Sequence, residues 1–387
     1  MLRRGPLNAL HSSATLKRLR LMNSLALVIA VGLLGPILTL LKPLRLPVII
    51  GEILAGVAFG YSGLNLINAS DSTLKVLAEL GFGLAMLQAG SHIDFHLLRK
   101  GINASKLNIQ IALVVGLSVI AALVAHKIES QVSVGIFILL FSTSSAAVIL
   151  PILNNQTAGL GAVIAAVLIL DLATVVAIPL VMNTDGFMKT ILHISIITLI
   201  IAVIYLVLSQ ILKTGAEVRI RELSKEHHLG VELRISLLIL ISLAALAIKW
   251  GISILIVGFA YGLVLARLGV PRRLARQLFA VSEGFLTPLF YVWLGAQLNI
   301  KDLFSSADVI KLVLVILIGS YLTHGIGLWL GNGLNKALLA TAQLGVPTAI
   351  STIGLQTGQL NSSNAAAIMF AALVTVLVSG FVKLDRG

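Results

Sequence analysis

One carboxylate lies at the middle of an otherwise apolar stretch of this chain. The stretch covers residues 159–183, and Asp171 is close to its centre. A charged side chain at the centre of a membrane-spanning helix costs about 2.5 to 3.5 kcal/mol on insertion scales, so such a residue marks an ion or proton path by default. We therefore predict that Asp171 binds a cation or a proton.

A group of hydroxyl side chains occupies the preceding apolar stretch. Ser142, Thr143, Ser144 and Ser145 follow one another there, and the helix breaker Pro151 comes soon after. Oxygen atoms are the ligands that hard cations prefer. We predict that Ser142, Thr143 and Ser144 join Asp171 in an ion site, with Asp171 and Thr143 as metal-ion ligands. The competing interpretation is that they are small residues that allow close helix packing.

The composition is that of a membrane protein. The chain has 387 residues, of which 58% are hydrophobic and 11% are charged, and its mean hydropathy is +1.04. Apolar stretches of about 20 residues recur along it, which indicates an all-α polytopic membrane protein. The chain has no cysteine, so the sequence excludes disulfides and thiolate metal sites. The net charge of +13 fits basic connectors at a membrane surface, and we expect no nucleic-acid partner.

Hydropathy predicts about thirteen transmembrane helices. We place them at residues 21–41, 46–67, 73–92, 107–126, 132–153, 159–183, 189–212, 232–250, 251–267, 277–299, 309–333, 336–358 and 361–383.

Lys and Arg are concentrated on one set of alternate connectors, which predicts an inner-membrane protein with its N-terminus outside and its C-terminus in the cytoplasm. The basic N-terminal tail, residues 1–20, disagrees with that orientation. We interpret it as lying outside the working protein, which would start at Met22. A signal-like basic region is the competing interpretation.

The spans predict two inverted six-helix repeats within one membrane domain over residues 21–387. The first repeat covers about 21–183, a linker helix covers 189–212, and the second repeat covers about 232–383. The fifth span of each repeat is interrupted, between Ser142 and Pro151 and from Gly345 to Gly354. Discontinuous helices at corresponding positions of inverted repeats point to a transporter binding site.

Several motifs resemble the monovalent cation:proton antiporter-2 family, the bacterial exchangers of sodium or potassium for protons. The matching motifs are LPVIIGEILAG at residues 46–56, LAELG at 77–81 leading to Ala89-Gly90, STS at 142–144 with Pro151, and TPLF at 287–290 leading to Gly295. The resemblance implies two crossed discontinuous helices, a homodimer, and Asp171 as the carboxylate that binds cation and proton in turn.

Two departures from the family pattern concern stoichiometry. The position before the essential carboxylate is often Asp or Asn in such antiporters, and here it is Leu170. Electrogenic members also carry a lysine in the eleventh span, where this chain has His324. We therefore predict electroneutral exchange of Na⁺, or alternatively Li⁺ or K⁺, for H⁺, and no cofactor.

Four further residues are candidates for supporting roles. His324 pairs either with Asp171 or with a neighbouring helix. Gln88 and His92 shape a cytoplasmic entrance, with His92 also a candidate pH-sensitive group. Glu283 either supports the site or is a hydrogen-bonded structural carboxylate.

Two other transport functions compete with sodium/proton exchange. One is a K⁺/H⁺ efflux antiporter, and the other is a Na⁺-coupled symporter for an organic anion, which can share crossed broken helices. An enzyme is the least favoured class, because the sequence shows no metal-ligand cluster, nucleophile elbow or cofactor loop.

Overall fold

The computed structural model describes most of the chain. It covers residues 22–40, 48–91, 104–145, 148–149, 161–182, 186–215, 218–219, 222, 226–227, 229–269, 271–303, 306–331 and 333–382.

Regular structure in these ranges is helical, and we number the helices in chain order. They are α1 (22–32), α2 (Leu34–Leu40), α3 (Val48–Phe59), α4 (Ser72–Ser91), α5 (Ala104–Ile128), α6 (Val134–Ser142), α7 (Gly161–Met182), α8 (Phe187–Lys213), α9 (Val231–Lys249), α10 (Ile254–Leu268), α11 (Arg272–Val281), α12 (Thr287–Gln297), α13 (Ile300–Leu303), α14 (Ala307–Trp329), α15 (Leu334–Ala340), α16 (Gly345–Thr357) and α17 (Ser362–Gly380). A π-helical segment, Ser282–Leu286, joins α11 to α12.

The all-helical membrane class is confirmed. Within the described residues, eight helical stretches are long and apolar enough to cross a membrane, and three shorter apolar helices lie at Met22–Leu38, Val48–Phe59 and Ile254–Leu268. Because no water is available in the bilayer core, a spanning segment must satisfy its own backbone hydrogen bonds, and helices do so. The long spans begin and end within a few residues of the predicted positions.

The chain forms two compact units, and the smaller contains residues 1–81 and 285–298. Its described centre is the crossing of α3 and α12. A Cβ atom added to Gly56 would lie 2.2 Å from the Val292 carbonyl oxygen, and one added to Gly295 would lie 2.1 Å from the Ile53 carbonyl oxygen. Glycine at these positions therefore lets the two backbones touch.

The larger unit contains residues 82–284 and 299–387. A second glycine crossing lies within it, between the C-terminal half of α4 and α10. A Cβ atom added to Gly262 would lie 2.2 Å from the Leu87 carbonyl oxygen, and one added to Gly90 would lie 2.4 Å from the Phe259 carbonyl oxygen. The glycine-rich stretches of the sequence are therefore close-packing positions in both units.

The larger unit also contains the two interrupted helices. The first interruption follows α6, where residues 143–145 are not helical. The second separates α15 from α16, where residues 341–344 are not helical. We call these the first break and the second break. Discontinuous helices in both predicted spans are confirmed.

The position predicted for the second interruption was wrong by a few residues. Residues 345–354, predicted to be interrupted, belong to the continuous helix α16. Pro347 causes no break there because it lies in the first turn, where a helix has no intrahelical partner for the missing N–H. Pro151, predicted to end the first interruption, is outside the described residues, as is the tail at 1–20. The division into repeats stays a prediction.

The glycine crossings generate a stability prediction. We expect Gly56→Ala to lower the melting temperature of the detergent-purified protein, because the added methyl group overlaps the Val292 carbonyl and overpacking costs about 1 to 3 kcal/mol. Gly116→Ala on α5 is the matched control, since no atom lies within 4 Å of the added Cβ. There the change should be neutral or stabilising by about 0.5 to 1 kcal/mol. Equal melting temperatures for Gly56→Ala and the unmodified protein would contradict the close-packing interpretation.

Candidate functional site

Asp171 lies in the middle of α7 and is buried, with 8% of its surface exposed. Helix α7 packs against α6 and α16, which are the helices that end at the first break and begin at the second. The predicted carboxylate therefore belongs to the helix that borders both interruptions. All of these elements belong to the larger unit.

A hydroxyl pair connects α7 to the first break. Thr174 is on α7 one turn after Asp171, and its Oγ1 lies 3.2 Å from Oγ1 of Thr143. The Thr174 hydroxyl also lies 2.7 Å from the Leu170 carbonyl oxygen and 3.0 Å from that of Asp171. Because residues three apart on a helix are on the same face, Asp171 and Thr174 both face the side of α7 that carries this contact. The structure thus brings Asp171 and Thr143 into one region.

Helix α14 supplies hydrogen-bond donors to the carbonyl groups that the first break exposes. The Thr323 hydroxyl donates to the Phe141 carbonyl oxygen at 2.8 Å, and His324 Nε2 lies 3.0 Å from the Thr143 carbonyl oxygen. A carbonyl can only accept, so Nε2 of His324 carries the proton in this contact. His324 therefore contacts the first break, and the predicted pairing of His324 with Asp171 stays a prediction.

The two breaks are bonded to each other. The Ser144 hydroxyl donates to the Ala340 carbonyl oxygen at 2.7 Å, and the Ser145 backbone N–H donates to the Ala342 carbonyl oxygen at 2.7 Å. The Ser142 hydroxyl donates within its own helix, to the Ile138 carbonyl oxygen at 2.6 Å. The hydroxyl protons of Ser142 and Ser144 are therefore each donated to a carbonyl, while their oxygens keep lone pairs that can face a cation.

Helix ends place partial charges around this region. Helices α6 and α15 end at the first and second breaks, and α16 begins at the second. A helix C-terminus carries about half a negative charge, and an N-terminus carries about half a positive charge. The C-terminal ends favour a cation between the breaks.

Such a site can hold either a proton or a monovalent cation. A buried carboxylate is unfavourable when charged and unpaired, so it takes up a proton or a compensating cation. Backbone and hydroxyl oxygens can complete the shell of a bound cation. The two ligands compete because both neutralise the same carboxylate.

The other predicted residues are placed elsewhere. Gln88 is half-buried on α4, and its backbone carbonyl accepts a hydrogen bond from the Ser91 hydroxyl at 2.9 Å. Glu283 is exposed in the π-helical segment. His92 lies outside the described residues. Entrance or supporting roles for these three residues stay predictions.

Three residues of the region were not predicted from the sequence. Thr174 and Thr323 make the contacts described above, and Gln343 lies in the second break, 1% exposed. The three-residue spacing from Asp171 to Thr174 was a usable signal for a shared helix face. The polar run Thr341 to Gln343 before Gly345 was a signal for the position of the second break.

Known proteins are similar to this chain in sequence. A family model described as "Sodium/hydrogen exchanger, transmembrane" matches residues 27–383. YjbQ of Bacillus subtilis, named for Na⁺/H⁺ antiport, is 26% identical over 375 residues, which are 91% of this chain. The match covers 61% of YjbQ, so this chain spans about three fifths of that relative's length. Antiporter 3 of Methanocaldococcus jannaschii, also named for Na⁺/H⁺ antiport, is 26% identical over 299 residues, which are 73% of each chain.

A solved structure shares the fold. The sodium proton antiporter MjNhaP1 from Methanocaldococcus jannaschii at pH 8 superposes with a TM-score of 0.64 and 16% identity, over 94% of this chain and 96% of that one. The family model covers well over half of the sequence, which confirms the predicted resemblance to cation:proton antiporters. This chain belongs to the sodium/hydrogen exchanger family of transmembrane proteins.

Proposed function

We propose that this protein exchanges Na⁺ for H⁺ across the membrane, and that Asp171 binds the two ions alternately. The observation that carries the proposal is the buried position of Asp171 on α7, one turn from the Thr174 hydroxyl that meets Thr143 at the first break. The names of the relatives support Na⁺ as the cation and H⁺ as its counter-ion.

Exchange follows from competition for one charge. With neither ion bound, a charged carboxylate in a low-dielectric interior is unfavourable by several kcal/mol, which disfavours any rearrangement that would carry it bare across the membrane. Protonation or Na⁺ binding removes this obstacle. The site therefore changes its access only when loaded, and a proton gradient can drive Na⁺ in the opposite direction.

The hydroxyl groups around Asp171 have different roles. Thr143 is the first candidate for a direct ligand, because its side-chain oxygen is on the α7 side of the first break. Ser144 bonds the first break to the end of α15, Ser142 donates within α6, and both offer oxygen lone pairs to the cation. His324 keeps the Thr143 carbonyl in place.

Removal of the carboxylate generates the first functional prediction. In proteoliposomes with a trapped pH dye, an imposed Na⁺ gradient should move protons for the unmodified protein and for Asp308→Asn, whereas Asp171→Asn should be inactive. Asn retains the size of the side chain but cannot take up a proton or a charge. Asp308 is a matched control because it is an exposed carboxylate in the first turn of α14.

Transport by correctly inserted Asp171→Asn at the rate of the unmodified protein would overturn the proposal. The proposal would also be overturned if the unmodified protein moved no protons in response to a gradient of Na⁺, Li⁺ or K⁺. Activity with K⁺ alone would correct the cation and identify the K⁺/H⁺ alternative. Uptake of an organic anion with Na⁺, without proton movement, would establish the symporter alternative.

We also propose one-for-one exchange. Leu170 stands before Asp171, where a second carboxylate would supply a second carrier, so the proposed site has one carboxylate for each cation. Moving one net charge is worth about 2.3 kcal/mol per 100 mV, so voltage changes the rate of an electrogenic exchanger and leaves that of an electroneutral one unchanged. We expect equal Na⁺-driven proton fluxes at 0 and −100 mV under a potassium–valinomycin clamp. A flux that rises several-fold with voltage would show a second charge carrier.

The connectors support a position in the plasma membrane with the C-terminus in the cytoplasm, and the family resemblance supports a homodimer. We expect a green fluorescent protein fused after residue 387 to fluoresce in cells, because that fusion partner folds in the cytoplasm. The matched fusion carries alkaline phosphatase at the same point and should be inactive. Active phosphatase with a dark fluorescent fusion would reverse the orientation.

A further inference from the structure

A continuous set of buried polar side chains joins the two breaks along one side of α14. We call it the polar line, and it consists of Asp171, Thr174, Thr143, His324, Ser320 and Gln343. Each member is at most 8% exposed. The contacts along it are Thr174 with Thr143, Thr143 with His324, and Gln343 with Ser320, while Ser320 and His324 are one helical turn apart.

Gln343 is at the far end of this line from Asp171, inside the second break. Its Nε2 donates to the Ser320 hydroxyl oxygen at 2.9 Å, and its backbone N–H donates to Thr375 Oγ1 at 3.3 Å. Ser320 and Thr375 are buried on α14 and α17. The residue is therefore fixed to two helices and is held in one orientation.

The side-chain amide oxygen of Gln343, Oε1, has no hydrogen-bond donor among the described residues. This atom is buried. An amide oxygen that is deprived of water and has no donor is unfavourable, so native proteins usually provide it with a partner. Because an amide oxygen is only an acceptor, its partner is a hydrogen-bond donor or a cation.

The position of Oε1 makes a transported cation the fitting partner. The second break lies beside the C-terminal end of α15, whose partial charge attracts cations. It is also bonded directly to the first break by the Ser145 N–H and the Ala342 carbonyl oxygen, 2.7 Å apart. An ion that leaves the Asp171 region can therefore find a neutral oxygen within the same polar interior.

We propose that Gln343 Oε1 is the oxygen ligand that the second discontinuous helix contributes to the transported monovalent cation, which makes Gln343 a determinant of cation choice. This inference rests on the proposed exchange function. A neutral ligand does not titrate, so it acts on the cation and leaves the competing proton unaffected. It thereby separates ion selectivity from the protonation of Asp171.

The test compares Gln343→Leu with Ser320→Ala in proteoliposomes, with Na⁺ and Li⁺ as alternative cations. Leu keeps the approximate volume and removes Oε1, whereas Ala at residue 320 removes the support of Nε2 and keeps Oε1. We expect Gln343→Leu to raise the apparent KM for Na⁺ about tenfold, as for the loss of one buried polar partner, and to change the Na⁺/Li⁺ KM ratio. Ser320→Ala should keep that ratio. When each variant is measured at the same multiple of its own KM for Na⁺, the pH at half-maximal rate should be unchanged in both variants.

A purely structural role of Gln343 predicts a different result. Both variants would then lose rate or thermal stability together, with the Na⁺/Li⁺ ratio unchanged, and this outcome overturns the inference. If Gln343→Leu does not insert, Gln343→Asn replaces it, because the shorter side chain withdraws the oxygen and should also change the ratio. An unchanged ratio in Gln343→Asn overturns the inference as well.

A binding measurement separates this inference from the exchange function. Na⁺ and Li⁺ should raise the melting temperature of the purified unmodified protein and of Ser320→Ala, and should raise that of Gln343→Leu much less. If the unmodified protein binds Na⁺ in this way but exchanges no ions, the function is wrong and the ligand role stands. If Na⁺ stabilises Gln343→Leu as much as the unmodified protein, the ligand role is wrong even where exchange is normal.

Discussion

Backbone groups that lose their helical partners must be satisfied inside a medium that contains no water, and this requirement organises the larger unit. Carbonyl and N–H groups at a break cost several kcal/mol each if they are left bare in hydrocarbon. Here side chains and backbone of neighbouring segments satisfy them. Thr323 and His324 from α14 serve the first break, and Ser144 and Ser145 serve the second. The elements that pack around the breaks must therefore supply hydrogen-bonding groups as well as apolar surface.

The same requirement explains why a carboxylate is found where it is. Among the described residues, C-terminal helix ends and the N-terminus of α16 lie on helices that pack against α7, and the partial charges of such ends can hold an ionisable group that a uniform apolar interior would reject. Asp171 lies on the helix that borders both breaks, where such helix ends are present.

The sequence predicted the helices and the mid-helix position of Asp171 well because both give strong local signals. Continuous apolar stretches identify the spans, and a lone Asp171 within one of them is conspicuous. The second break was harder to locate, because Gly345 and Pro347 read as breakers while Pro347 in fact occupies the first turn of α16. The roles of Thr174 and Gln343 depend on which distant helices they meet. Contacts such as the one from Gln343 to Ser320 carry no periodic signal in the sequence.

The hydrogen bond from the Ser145 N–H to the Ala342 carbonyl oxygen involves main-chain atoms alone. Ordinary side-chain replacements leave its donor and acceptor in place, and only proline at residue 145 would delete the N–H. This hydrogen bond between the two interrupted helices is consequently retained after most amino-acid substitutions. The side chains around it can therefore vary while the two helices stay bonded to each other.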